Sequence, residues 1–168
     1  GAPYVGTEIF ALSPSVLGFY FGAPALGYFM GNFVSGRYST RIGINNMVLY
    51  GAIIATASAC LSLLIFGIGF GTPASFFGFM TLVGLGNGMT IPNATSGMLS
   101  VRPHIAGTAS CLGGALMIGF GAILSALAGI VLAGGNSALP VLWLMVASTA
   151  GGLFAALWVI RRAKVIGA

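Results

Sequence analysis

Apolar stretches long enough to cross a bilayer alternate along this chain with short polar breaks. No charged residue occurs from Ile42 to Val101, or from Pro103 to Ile160. About 20 helical residues span the hydrocarbon core, so each tract has room for two crossings. The apolar residues run continuously instead of at every second position, which excludes a transmembrane β-barrel. Turn residues cut the pattern into five predicted helices, at roughly 14–36, 45–69, 74–99, 104–133 and 139–161. Ser13-Pro14 and Thr72-Pro73 each offer an N-cap followed by a proline at the first helical position. Gly134-Gly135 closes the fourth helix, and Asn136-Ser137 with Pro140 opens the fifth. The breaks at 70–73 and 134–138 are so short that the helices they join must be antiparallel neighbours. Residues 1–12 are too few to cross and read as the end of a preceding helix with its loop.

Composition narrows the class. Of 168 residues, 58% are hydrophobic and 4% charged, where about a quarter of a soluble domain carries charge. The expectation is an all-α, polytopic transmembrane bundle, with residues 1–168 forming a single membrane domain. A net charge of +5 would suggest nucleic acid in a soluble protein. Here the basic residues form short clusters between apolar runs: Arg37 and Arg41, then Arg102, then Arg161, Arg162 and Lys164. With five crossings all three clusters fall on one face, opposite Glu8, the only acid. The positive-inside rule makes that face, and the carboxyl terminus, cytoplasmic. The chain starts at Gly1 without a signal peptide, and five crossings then put its start outside; this leads us to expect missing helices upstream.

Candidate chemistry is sparse. Cys60 and Cys111 lie in apolar tracts without a CxxC and read as inert thiols. His104 is the only histidine, a loop residue that reads most simply as solvated. No aspartate pair, Ser/His arrangement or His/Glu metal set is present, so the chain reads as neither an enzyme nor a metal or cofactor protein. Small-xxx-small spacings recur at Gly18/Gly22, Gly27/Gly31, Gly67/Gly71 and Gly84/Gly88, a pattern that lets membrane helices approach closely. The densest polar run is Gly84 to Gly97, within the third helix. There Pro92 frees the Gly88 carbonyl and predicts a kink, while Asn87, Thr90 and Asn93 form a slowly turning polar stripe. Such side chains face either a partner helix or a water-filled cavity. Arg37 and Arg41, between Gly36 and Gly43, are either positive-inside charges or clamps on helix ends.

Taken together, three motifs resemble the carboxyl-terminal half of a major facilitator superfamily transporter, and within it the Bcr/CflA group of drug-resistance efflux proteins. They are Gly36-Arg37 followed by Arg41 and Gly43; the glycine-rich run ending at Pro92; and Pro103-His104-Ile105-Ala106-Gly107-Thr108-Ala109-Ser110, the most specific of them. Leu12-Ser13-Pro14 fits too. The resemblance covers nearly the whole chain and implies that the five spans are helices eight to twelve, with the amino-terminal half absent. It further implies a multi-pass protein of a bacterial inner membrane that exports drug-like molecules in exchange for protons by alternating access. Helices eight, ten and eleven would contribute to the cavity, with nine and twelve at the periphery, which makes Tyr28, Asn87, Thr90, Asn93 and Met117 the candidate cavity residues. Arg37, Arg41 and Arg102 would be gating or structural loop residues. The implied partners are the lipid bilayer, the other half of the transporter, a small apolar or amphiphilic substrate and protons; nucleic acid is not among them. The chain holds no carboxylate within a span, which leaves the proton carrier unassigned. The other reading of the same residues is a non-transporting helical module that assembles through its small-residue faces.

Overall fold

A computed structural model describes residues 5–101, 103–132 and 137–166. They form helices and no strand, an all-α bundle. After a π-helical turn at Val5–Ile9 come α1 (Pro14–Ile42), α2 (Ile44–Gly67), α3 (Pro73–Val101), a 3-10 turn (Pro103–Ile105), α4 (Ala106–Leu132) and α5 (Leu139–Ile166).

Local chemistry explains the breaks. Pro14 sits at the start of α1, where its missing N–H costs no helical bond. At the start of α3 the Ser75 N–H donates to Thr72 Oγ1 (3.1 Å) and the Thr72 N–H donates to Ser75 Oγ (2.9 Å), a reciprocal cap. The first helix differs from expectation at its far end. It runs through Gly36 to Ile42, so Arg37 and Arg41 lie on its last turns and not in a loop. The chain reverses at Gly43 alone, whose φ of 89° is a conformation that side chains resist. Gly36 stays helical because nothing at that position demands such a backbone.

Among the described residues four helices are long and apolar enough to cross a membrane: α2, α3, α4 (together with its 3-10 turn) and α5. By composition α1 falls short of them, diluted by glycines, tyrosines and prolines. Its packing nonetheless gives it the depth of α3. The two run parallel, from the stack of Tyr20 on Phe77 (5.0 Å between centroids) to the hydrogen bond between Asn93 and Ser35. That interval is 15 residues of α1, roughly 22 Å of rise. A helix that accompanies a span for most of the hydrocarbon thickness lies in the bilayer with it.

Close packing centres on α3, which is glycine-lined on two sides. A Cβ on Gly84 or Gly88 would strike the Pro24 and Tyr28 carbonyl oxygens of α1, and one on Gly27 or Gly31 would strike Thr81 and Leu85 of α3. Toward α2, Gly86 and Gly51 abut each other's backbone in the same manner. Two of the four spacings expected to pack therefore do so; Gly18, Gly22 and Gly67 have open space around them. A buried apolar cluster caps one end of the bundle, where Val5, Phe76, Phe77, Leu132, Val141 and Leu142 meet. Phe10, Phe66 and Phe76 pack edge to face there. Arg37, Arg41, Arg161 and Arg162 lie at the opposite end, since α1 finishes, and α5 finishes, away from that cluster. By contrast α4 is nearly bare, with only Ala128 and Leu132 buried among its residues.

Candidate functional site: a neutral polar pocket between three helices

Asn87 lies midway along α3, fourteen residues from either end, roughly 21 Å by helical rise. Together with Thr90, one turn on, it lines a cavity of about 280 Å³ between α2, α3 and α5. Ala52 and Ala55 of α2 form one wall. Met145, Ser148, Thr149 and Gly152 of α5 form the other. Small residues on α2 and Gly152 on α5 leave the space, and the polar side chains border it.

Hydrogen bonding within the pocket is incomplete in a useful way. Ser148 Oγ donates to the Met145 carbonyl at 3.0 Å, and Thr149 Oγ1 donates to the same oxygen at 2.9 Å. Both hydroxyls thereby spend their proton on their own helix and keep lone pairs to accept with. Thr90 Oγ1 reaches the Val48 carbonyl at 3.4 Å, a long and weak bond. The Asn87 carboxamide makes no hydrogen bond among the described residues and offers two donors and an acceptor. No lining residue is titratable, so the pocket recognises neutral hydrogen-bonding groups and cannot take up or release a proton.

The other candidate residues lie elsewhere. Asn93 is buried and faces α1, where its Nδ2 donates to Ser35 Oγ (2.6 Å) and to the Met89 carbonyl (2.7 Å); it ties two helices together. Tyr28 and Met117 are exposed on α1 and α4 and do not border the pocket. The third helix stays continuous through Pro92. Arg37 and Arg41 are exposed, with Arg41 in the last turn of α1, where a cation suits the helix dipole. Arg102 lies outside the described residues. The hydroxyls of α5 were not singled out in the sequence. Their signal is the run Ser148-Thr149-Ala150-Gly151-Gly152, two hydroxyls and two glycines in the middle of an apolar helix.

Comparison with known proteins agrees with the membrane-bundle geometry. No family model matches the chain, and no solved structure matches it. A relative, the MFS-type transporter YdgK of Bacillus subtilis (strain 168), itself uncharacterized, is 31% identical over 133 residues. The match takes in 77% of this chain and 32% of YdgK, so the aligned part spans about a third of the relative's length. A bundle of apolar helices with this similarity supports membership of the major facilitator superfamily.

Proposed function

We propose that this chain is part of a proton-driven exporter of small amphiphilic molecules, of the Bcr/CflA kind, and that the pocket around Asn87 is a contact point for its substrate. The observation that carries the reading is an uncharged cavity with unspent hydrogen-bonding capacity at mid-depth in a membrane bundle. Transporters place their sites near that depth, at the interface between repeats. This pocket shares the depth but lies inside one half, between helices nine, ten and twelve of the implied numbering, and only helix ten is among those expected to form the cavity. A neutral, drug-sized molecule with a carbonyl or hydroxyl would find a donor in Asn87, acceptors in Ser148 and Thr149, and apolar surface in Met145 and Val83. Because the pocket cannot titrate, the coupling proton is carried by a group elsewhere in the complete transporter. The exposed aromatic side chains of α1, Phe19, Phe29 and Phe33, and the bare face of α4 are where the other half of the protein would pack. The basic end of the bundle then faces the cytoplasm of a bacterial cell.

The test is drug accumulation in cells expressing the complete protein that carries this chain, with and without Asn87→Ala. Losing one hydrogen bond to substrate should raise the apparent KM roughly tenfold, about 1.4 kcal/mol. Membrane insertion should be unchanged, because the Asn87 side chain is exposed to the pocket and makes no hydrogen bond among the described residues. Dissipating the pH gradient with an ionophore should abolish export. Wild-type KM in the Asn87→Ala, Ser148→Ala double variant would remove the pocket from the substrate path. Export unaffected by the ionophore would remove proton coupling.

A further inference from the structure

The stretch of α5 from Phe154 to Arg162 combines an apolar trough with cations that form no ion pair among the described residues. Phe154, Leu157, Trp158 and Arg161 are spaced i, i+3, i+4 and i+7, one face of the helix, and line a cavity of about 230 Å³. Phe154 and Trp158 are 73% and 58% exposed. The Arg162 guanidinium lies over the Trp158 ring, 5.7 Å from its centroid. That contact occupies Arg162 and holds the indole, while Arg161 remains exposed at the rim of the cavity. The only acidic residue in the sequence is Glu8, in the turn at the opposite end of the bundle, and Arg161 and Arg162 form no ion pair among the described residues.

Depth fixes what can neutralise it. The apolar part of α5, from Leu139 to Ile160, rises roughly 33 Å, the thickness of the hydrocarbon core. Arg161 therefore stands at the plane of lipid phosphates, and Trp158 at the headgroup boundary where indoles concentrate. We propose that this trough binds an anionic phospholipid of the adjacent leaflet. Its phosphate sits on the Arg161 guanidinium, which matches phosphate oxygens with paired N–H donors. One acyl chain lies along Leu157 and Phe154 beneath the indole. Arg162 acts as a positioning residue through Trp158. The site is separate from the Asn87 pocket, and its existence does not depend on transport.

The experiment is native mass spectrometry of the complete protein carrying this chain, extracted from vesicles of equal phosphatidylglycerol and phosphatidylcholine. The wild type should retain phosphatidylglycerol in preference to phosphatidylcholine. Arg161→Gln should reduce that retention about fivefold, the worth of one arginine at a charged surface. Phe154→Ser, with the cations intact, should also reduce it. Arg37→Gln removes a charge at the same end of the bundle and should leave retention unchanged. Retention by Arg161→Gln equal to wild type would overturn the proposal. So would an equal loss in Arg37→Gln, which would mean diffuse surface charge, or displacement of the lipid by millimolar inorganic phosphate, which would mean a simple anion site.

Discussion

An alanine at position 88 would bring its Cβ onto the Tyr28 carbonyl oxygen, with the Asn32 backbone nitrogen at 2.9 Å and the Gly31 Cα at 3.0 Å. All three neighbours are backbone, and none is the free end of a flexible side chain that can swing away. Relief requires α1 and α3 to separate. Overpacking of this kind costs about 1 to 3 kcal/mol, and for a chain of this length each kcal/mol lowers the midpoint of unfolding by roughly 2 to 4 °C. Gly88→Ala should therefore melt roughly 2 to 12 °C below the wild type. Gly121→Ala is the matched control, because a Cβ at Gly121 of α4 meets nothing within 4 Å. It exchanges glycine for a better helix former and should be neutral or stabilising by up to about 1 kcal/mol. The assay is thermal unfolding in detergent followed by a thiol-reactive fluorophore in a Cys111→Ser background. Cys111 is exposed and would react at once, whereas the partly buried Cys60 reports the opening of α2. A Gly88→Ala protein that melts at or above the wild-type temperature would refute the close-approach account, as would an equal fall in the Gly121→Ala control.

Three further outcomes follow from single contacts. Asn93→Ala and Ser35→Ala should each destabilise by about 1 to 3 kcal/mol, and a double-mutant cycle should show coupling of at least about 0.5 kcal/mol; additive losses would mean that the hydrogen bond joining α1 to α3 contributes nothing. Ser62 Oγ is buried without a hydrogen-bond partner, so Ser62→Ala should hold or raise the melting temperature, by up to about 1 kcal/mol of relieved desolvation. Gly43→Ala puts a side chain at φ 89° and should cost about 1 to 2 kcal/mol, measurable in the same melting assay.

The helices were legible because charge and turn residues are scarce enough to act as punctuation. Thr72-Pro73 is the clear case, since a cap and a proline together admit few alternatives. The end of α1 was not legible. Gly36 and Gly43 look alike in sequence, and only the backbone demand at Gly43 distinguishes them, while glycine inside membrane helices is ordinary. The polar stripe was half legible. At 100° per residue, Asn87, Thr90 and Asn93 fan over about 120°, and the sequence carries that fan without saying which neighbour stands at each angle. The structure puts α2 and α5 at one edge, with Asn87 and Thr90, and α1 at the other, with Asn93. Ser148 and Thr149 become part of the same picture only through the packing of α5 against α2, a long-range pairing that no local pattern encodes.

The two-sided glycine seam of α3 has a mechanical meaning. Where backbones touch without side chains between them, there are no rotamers to act as bearings, and one helix cannot slide past the next without its carbonyls riding over the neighbour's. Helices α1, α2 and α3 thus behave as a single beam under load. Among the described helices α4 stands outside that beam, with only Ala128 and Leu132 buried.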